Sequence, residues 1–304
     1  MTEITETGLI IRAQSGFFTV QTQEDQVVCQ LRGRLKKGRP TGDIAAIGDK
    51  VTFTRLNDGS GVIEDIEERS RAFIRLDPRP NGVYQQVILA NLDQLIIVFA
   101  CTSPSPKLRM VDRFLVIAEK QKIPAVIVAN KVDLVSMDEA QSTFGHYPPL
   151  GYPVIYTSAK KGVGIEELRS LLTGKLSALA GPSGVGKSSL LNAIQPDLGL
   201  AVRDISSYMK KGRHTTNFRQ LIPLEGGGYI GDTPGLKALA LWDTEPEEMD
   251  AYFPEIAPLV MHCRFNNCTH QPGELDCAVQ KAVKDGVIHP ERYESYVRLR
   301  MGEE

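Results

Sequence analysis

The sequence predicts a multidomain chain: a small N-terminal β-barrel over residues 1–72, a central α/β domain over 73–245 and a mainly α C-terminal domain over 246–304. Three observations predict it. Residues 1–72 carry short strand-like runs separated by glycine-containing or polar turns, with no helix-length apolar period. From residue 73, apolar runs alternate with amphipathic segments, the mark of a parallel sheet covered by helices. From residue 246 the pattern is helical again, interrupted by a cysteine and histidine cluster.

The candidate barrel strands are Leu9–Ala13, Phe17–Gln21, Val27–Leu31, Val51–Arg55 and Gly61–Ile66. Their spacing suits a five-stranded barrel of the OB-fold type, and an SH3-like barrel would give much the same pattern. Arg32, Arg34, Lys36, Lys37 and Arg39 cluster around Gly33 and Gly38. OB folds bind nucleic acid on strands 2–3 and nearby loops, so these five are candidates for RNA phosphates, with a solvated loop as the alternative.

In the central domain, strands are expected at Gln94–Ala100, Ala125–Ala129, Val154–Thr157 and Leu176–Ala180, and helices at Leu108–Lys120 and Ile165–Leu172. Val111, Phe114, Leu115 and Ala118 share one face of the first helix.

The net charge of -2 argues against binding nucleic acid through the whole surface, so any polyanion contact must come from local patches. The longest strongly apolar stretch, Leu95–Ala100, falls far short of the ~20 residues of a spanning helix. No basic region followed by a long apolar run opens the chain, so a cytosolic protein without a membrane partner is expected. Five cysteines, an odd count, argue against a disulfide framework.

Residues 181–188 are Gly181, Pro182, Ser183, Gly184, Val185, Gly186, Lys187 and Ser188, which fill every fixed position of GxxxxGKS. They follow the strand Leu176–Ala180 and open a helix over Ser188–Ile194, with Ser189 in its first turn. The glycines let backbone N–H groups point at phosphate oxygens. Lys187 would neutralise the β- and γ-phosphates, and Ser188 would ligate Mg²⁺. Asp232-Thr233-Pro234-Gly235 follows the short strand Gly228–Gly231. Asp232 can hold Mg²⁺ through water, and the Gly235 N–H can sense the γ-phosphate.

Asn130-Lys131-Val132-Asp133 ends the strand Ala125–Ala129. Guanine presents two adjacent donors, N1–H and its 2-amino group, which the Asp133 carboxylate accepts together. Adenine would leave that carboxylate facing a lone pair, a penalty on the order of 10⁴-fold. Asn130 would brace the loop and reach the purine N7, and the stem of Lys131 would cover the base. In Ser158-Ala159-Lys160, after the next strand, the Ala159 N–H can donate to guanine O6.

These elements resemble the motifs of the Ras-like GTPase superfamily, but in rearranged order. The guanine motifs precede the phosphate loop, and Asp-Thr-Pro-Gly comes last. The central domain is therefore expected to be a circularly permuted α/β P-loop GTPase, which is feasible because domain termini often lie close together. The chain would leave it just after the γ-phosphate sensor, making the C-terminal domain the reporter of nucleotide state. Water positioning is the open point. Leu236 stands where many GTPases carry Gln, and His214, in Lys210-Lys211-Gly212-Arg213-His214-Thr215-Thr216, is the candidate replacement. Contact with phosphate or RNA is the alternative for His214. One of Thr215 and Thr216 is expected to ligate Mg²⁺.

Cys263, Cys268, His270 and Cys277 offer three thiolates and an imidazole, a set that suits one closed, structural Zn²⁺ site. Arg203, Lys210, Lys211, Arg213 and Arg219 form a second basic patch. Arg292, Arg298 and Arg300 lie on an expected helix over Pro290–Arg300.

Taken together, LANLDQLIIVFA, NKVD, TSAK, GPSGVGKSSLLNAI, KGRHTT, DTPG and the Cys/His cluster resemble the bacterial small-subunit-dependent ribosome GTPases, the RsgA or YjeQ family. The resemblance covers nearly the whole chain. It implies an OB domain, a permuted GTPase and a zinc domain. It also implies GTP and GDP as ligands, and a role in late 30S subunit maturation with hydrolysis stimulated by the small ribosomal subunit and its rRNA. A monomer is expected. Two positions depart from the family pattern: Asn217 stands where a third Thr is usual, and the gap before Cys277 is one residue longer. A GTP switch acting on a protein partner, a metabolic P-loop kinase and a nucleic-acid-binding barrel with a decayed GTPase are the competing readings. The complete guanine motifs oppose the second of these and the intact phosphate loop the third.

Overall fold

The computed structural model describes residues 5–36, 42–79, 82–200, 219–231 and 244–303. The chain divides into two compact units. The first holds residues 1–95, 166–179 and 187–238, and the second holds 96–165, 180–186 and 239–304.

The first unit begins with five strands: β1 (Thr5–Gln14), β2 (Phe17–Gln21), β3 (Gln26–Leu31), β4 (Lys50–Arg55) and β5 (Gly61–Ile66). Their order is β1-β2-β3-β5-β4, closed by the β1–β4 pairing, with β3 and β5 parallel. This closed arrangement is that of an OB barrel. In β3 the residues alternate: Val27 and Cys29 are buried, while Val28 and Gln30 are exposed. Ile10, Val20, Phe53 and Ile63 join them in the barrel core. Arg69 closes the lower turn, donating from Nε to the buried Asp49 at 2.7 Å. It also reaches the carbonyls of Asp43 and Ile44 at 3.1 Å.

A long antiparallel hairpin follows, β6 (Ala72–Arg79) and β7 (Gly82–Ala90). The same unit contains β11 (Leu176–Ala180), parallel to β13 (Tyr229–Gly231), which runs antiparallel to β12 (Arg219–Pro223). In turn β12 pairs antiparallel with β1, setting Gln220 opposite Arg12. The ladder thus continues from the barrel into strands that the sequence reading assigned to the central domain.

The second unit is built on β8 (Gln94–Ala100), β9 (Ala125–Asn130) and β10 (Val154–Thr157), ordered β10-β9-β8 with β10 and β9 parallel. Every residue of β8 and β9 is buried, as expected of strands covered on both faces. Helix α1 (Leu108–Lys120) buries Val111, Phe114, Leu115 and Ala118, the stripe read from the sequence. Helix α2 (Met137–Phe144), which lacks a strong sequence signal, starts on a capping box between Ser136 and Glu139. Helix α3 (Ile165–Leu172) leads back to the first unit, and α4 (Lys187–Ile194) begins one residue earlier than expected.

The C-terminal residues form two 3-10 helices, Pro246–Tyr252 and Ala257–His262, then α5 (Ala278–Lys284) and α6 (Pro290–Arg300). Met249, Phe253, Ile256, Val279, Ile288, Tyr296 and Leu299 make their core, and Val116 of α1 packs into it. Among the described residues no helix is long and apolar enough to cross a membrane.

Candidate functional site

The loop 181–186 leaves a fully buried strand and runs directly into α4. Two glycines are dictated by close approach. A Cβ on Gly181, at φ +132, would lie 2.1 Å from the Val98 carbonyl oxygen, and one on Gly186, at φ +99, would lie 2.3 Å from Asn130 Nδ2. Any side chain at either position would push the loop off the strand ends behind it.

The guanine-motif residues meet this loop. Asn130, buried at the end of β9, donates from Nδ2 to the Val185 carbonyl at 2.8 Å. Its Oδ1 accepts from Thr157 Oγ1 at 3.2 Å. Lys131 adopts a left-handed backbone, φ +66. Its Nζ donates to the Gly184 carbonyl at 2.7 Å and to the Ser103 carbonyl. Two side chains of one motif therefore hold two carbonyls of the other, and the inverted chain order is no obstacle to their juxtaposition.

Asp133 Oδ1 accepts a hydrogen bond from Ser158 Oγ at 2.6 Å. That bond holds the Asp133 carboxyl below the usual carboxylate range, with Lys160 and Lys161 helping. Ser158 is buried. Its backbone N–H donates to Val163 at 3.0 Å, and its Oγ accepts from the Lys161 N–H at 3.1 Å. The turn carrying Ser158, Ala159 and Lys160 is thus tied by hydrogen bonds to Val163 and to an Asp133 carboxyl held in its ionised form. Lys187, Ser188 and Ser189 form the first turn of α4, where Ser188 is buried. His214, Thr215, Thr216, Asp232 and Gly235 lie outside the described residues.

The second cluster is the Cys/His set. The ligand atoms of Cys263, Cys268, His270 and Cys277 all lie within 4.8 Å of one another. His270 Nδ1 lies 3.5 Å from Cys263 Sγ and 3.4 Å from Cys277 Sγ, so Nδ1 is the nitrogen directed at the cluster. Cys277 also caps α5, accepting from the Gln280 N–H at 3.5 Å. Asp276, left-handed at φ +51, turns the chain just before Cys277. Burial pushes the Cys268 thiol up to about 12 and raises Cys277 as well, so bare thiolates are disfavoured here and a divalent cation is what would stabilise them. Three sulfurs and one nitrogen leave no ligand position for water, the composition of a structural zinc centre.

Residues 66–242 match the RsgA GTPase family, and residues 7–63 match the RsgA N-terminal domain. The chain belongs to the RsgA GTPase family. It is 44% identical over 300 residues to the small ribosomal subunit biogenesis GTPase RsgA of Gemmatimonas aurantiaca, covering 97% of this chain and 96% of that protein. The RsgA of Moorella thermoacetica is 43% identical over 290 residues, with 95% and 94% covered. Among solved structures, YjeQ from Thermotoga maritima matches with a TM-score of 0.78 at 37% identity, covering 99% of both chains. YloQ, described as a circularly permuted GTPase, matches with a TM-score of 0.74 at 32% identity, covering 99% of this chain and 95% of that one.

As an RsgA GTPase is defined by its activity, membership makes this chain a GTP-binding and GTP-hydrolysing enzyme with a permuted domain that follows an N-terminal barrel in the chain. Mg²⁺ is the ion that accompanies GTP in such enzymes. In this RsgA-family barrel, Arg32, Arg34 and Lys36 sit just after β3, the last two in a 3-10 helix (Gly33–Lys36). Arg32 pairs with the Glu64 carboxylate, and Arg34 donates to the Glu64 main-chain carbonyl at 2.9 Å and lies 3.6 Å from the same carboxylate, so the two guanidiniums gather at one residue. Lys37 and Arg39 lie outside the described residues. Sequence reasoning missed Ser103, whose contribution is a backbone carbonyl that no motif marks. It also missed Asp250, an acid among acids in Pro246–Tyr252.

Proposed function

We propose that the chain is a cytoplasmic, monomeric GTPase that binds the small (30S) ribosomal subunit through its rRNA, acts in late maturation of that subunit, and couples hydrolysis to its own release or to a checkpoint. The observation that carries the nucleotide part is the pair of bonds from Asn130 to Val185 and from Lys131 to Gly184. They join the loop that reads the base to the phosphate loop. Asp133 reads guanine, Ala159 donates to O6, and residues 181–189 wrap the phosphates.

Ser188, the described member of the Mg²⁺ set, is a buried hydroxyl on the first turn of α4. With Asp232 and one of Thr215 and Thr216 it would hold the ion, which neutralises charge on the β- and γ-phosphates. Gly235 senses the γ-phosphate, and His214 orients the attacking water. Arg32, Arg34, Lys36, Lys37 and Arg39 contact rRNA phosphates. The domain division is 1–72, 73–245 and 246–304. The names carried by its relatives favour the small subunit as partner.

The test is GTP turnover with purified small and large subunits added separately. Stimulation by the small subunit alone, lost as salt rises, is expected. Equal stimulation by both, or by neither, would remove the ribosomal assignment.

A further inference from the structure

We propose that Asp250 is the outer carboxylate of the zinc centre: it fixes which nitrogen of His270 faces the metal. The proposal rests on the zinc reading of the four-ligand cluster.

His270 is fully buried, and its two ring nitrogens have different surroundings. Nδ1 faces the sulfurs of Cys263 and Cys277. Nε2, on the far edge, makes no hydrogen bond, and the carboxylate beside it is Asp250 Oδ2 at 3.5 Å. A histidine that gives one nitrogen to a metal must keep its proton on the other, and a carboxylate in line with that N–H raises the basicity of the ligating nitrogen. Asp250 Oδ2 is the carboxylate oxygen that stands beside this buried nitrogen, and the Tyr296 ring lies 6.2 Å from the imidazole, centroid to centroid.

The other oxygen of Asp250 is committed elsewhere. Oδ1 accepts from Tyr296 Oη and pairs with Arg300, both on α6. A third bond runs in parallel, from Tyr293 Oη to the His270 carbonyl at 2.6 Å. Tyr296 and Arg300 are one helical turn apart, and Arg292 lies one turn before Tyr296, so a single face of α6 carries all three. The carboxylate of Asp250 therefore stands between the metal ligand and the helix, one oxygen to each.

The segment that carries Asp250 is held at its start by Lys120 Nζ donating to Thr244 Oγ1 at 2.9 Å.

Three measurements on the full-length chain test the proposal. In the zinc-loaded wild type, ¹⁵N shifts of His270 should report metal on Nδ1 and a proton on Nε2. Metal on Nε2 overturns the idea without any variant. In a chelator competition, Asp250→Asn should bind zinc about 10–100-fold more weakly, and the Co²⁺-substituted protein should show altered visible bands. Tyr296→Phe removes the helix-side contact and leaves His270 alone, so its zinc affinity should stay within about threefold of wild type. Wild-type affinity in Asp250→Asn, or an equal loss in Tyr296→Phe, overturns the positioning role. A wild-type chain carrying no equivalent of zinc overturns the zinc reading and this proposal with it.

Discussion

Arg292 Nη1 lies 2.7 Å from Asp112 Oδ1, across 180 residues of chain, with both side chains 1% exposed. The guanidinium is shared. Its Nε and Nη2 donate to Glu255 at 2.7 and 3.1 Å, and its face lies over the Phe253 ring at 4.5 Å. Asp112 also accepts from Tyr147 Oη at 2.9 Å. A helix that the sequence marks only as basic is thereby fastened to α1 through a charge with no access to water. Burying these ions is costly in itself, so the network serves position more than net stability.

Removing one partner strands the others. Arg292→Met should destabilise the chain by about 3–5 kcal/mol, because Asp112 and Glu255 would remain as buried, unpaired carboxylates. Adding Asp112→Asn and Glu255→Gln should recover part of the loss. Urea midpoints check this, and an unchanged midpoint in Arg292→Met would contradict the role given to the network.

Asp133→Asn exchanges an acceptor pair for an acceptor and a donor. Guanine N1–H and the 2-amino group then face a donor, and GTP affinity should fall on the order of 10⁴-fold. Xanthine carries a carbonyl at C2, which the new amide can serve, so XTP should bind better to the variant than GTP does. Competition binding with both nucleotides decides it, and equal preference for GTP before and after the change would exclude Asp133 as the base reader.

His214→Ala should lower subunit-stimulated turnover by at least about 10²-fold while leaving GDP affinity unchanged, as expected for a water-positioning group. Unaltered stimulated turnover would take His214 out of the mechanism.

His146 stacks on His289 with ring centroids 4.2 Å apart, and neither of its ring nitrogens has a hydrogen-bond partner. Burial lowers its pKa from 6.5 to about 4, and His289 and Arg292 push the same way. The folded chain then binds fewer protons than the unfolded chain between those values. Stability present above pH 6.5 is lost as pH falls toward 4. Solvent screening at this half-buried site limits the contribution to about 1 kcal/mol. His146→Phe keeps a ring in place and cannot titrate, so its stability should decline less than that of the wild type between pH 7 and pH 5. Parallel declines would rule the residue out as a source of the pH dependence.

The barrel strands and the buried runs of β8 and β9 are legible because alternation and continuous apolarity report burial directly. The phosphate and guanine motifs are legible because their chemistry demands particular residues at fixed spacing. The β6–β7 hairpin is obscured by Pro78 inside a strand, a residue that argues against one. Helix α2 is short, and its capping box, Ser136 with Glu139, is its clearest local mark. The two 3-10 helices near the C-terminus have no 3.6-residue period to find. Ser103 and Asp250 are invisible for another reason. Each acts on a partner that only tertiary structure brings near, and Ser103 does so through a carbonyl that any residue possesses.

The pairing of β1 with β12 has a mechanical meaning. Strand β12 begins immediately after residues 201–218, the stretch containing His214, and Gln220 stands opposite Arg12 of the barrel in the antiparallel pairing. Such a seam cannot creep by one residue, since that would turn every side chain to the opposite face. It must hold fast or part altogether. A displacement of the barrel strand β1 is therefore felt directly by β12.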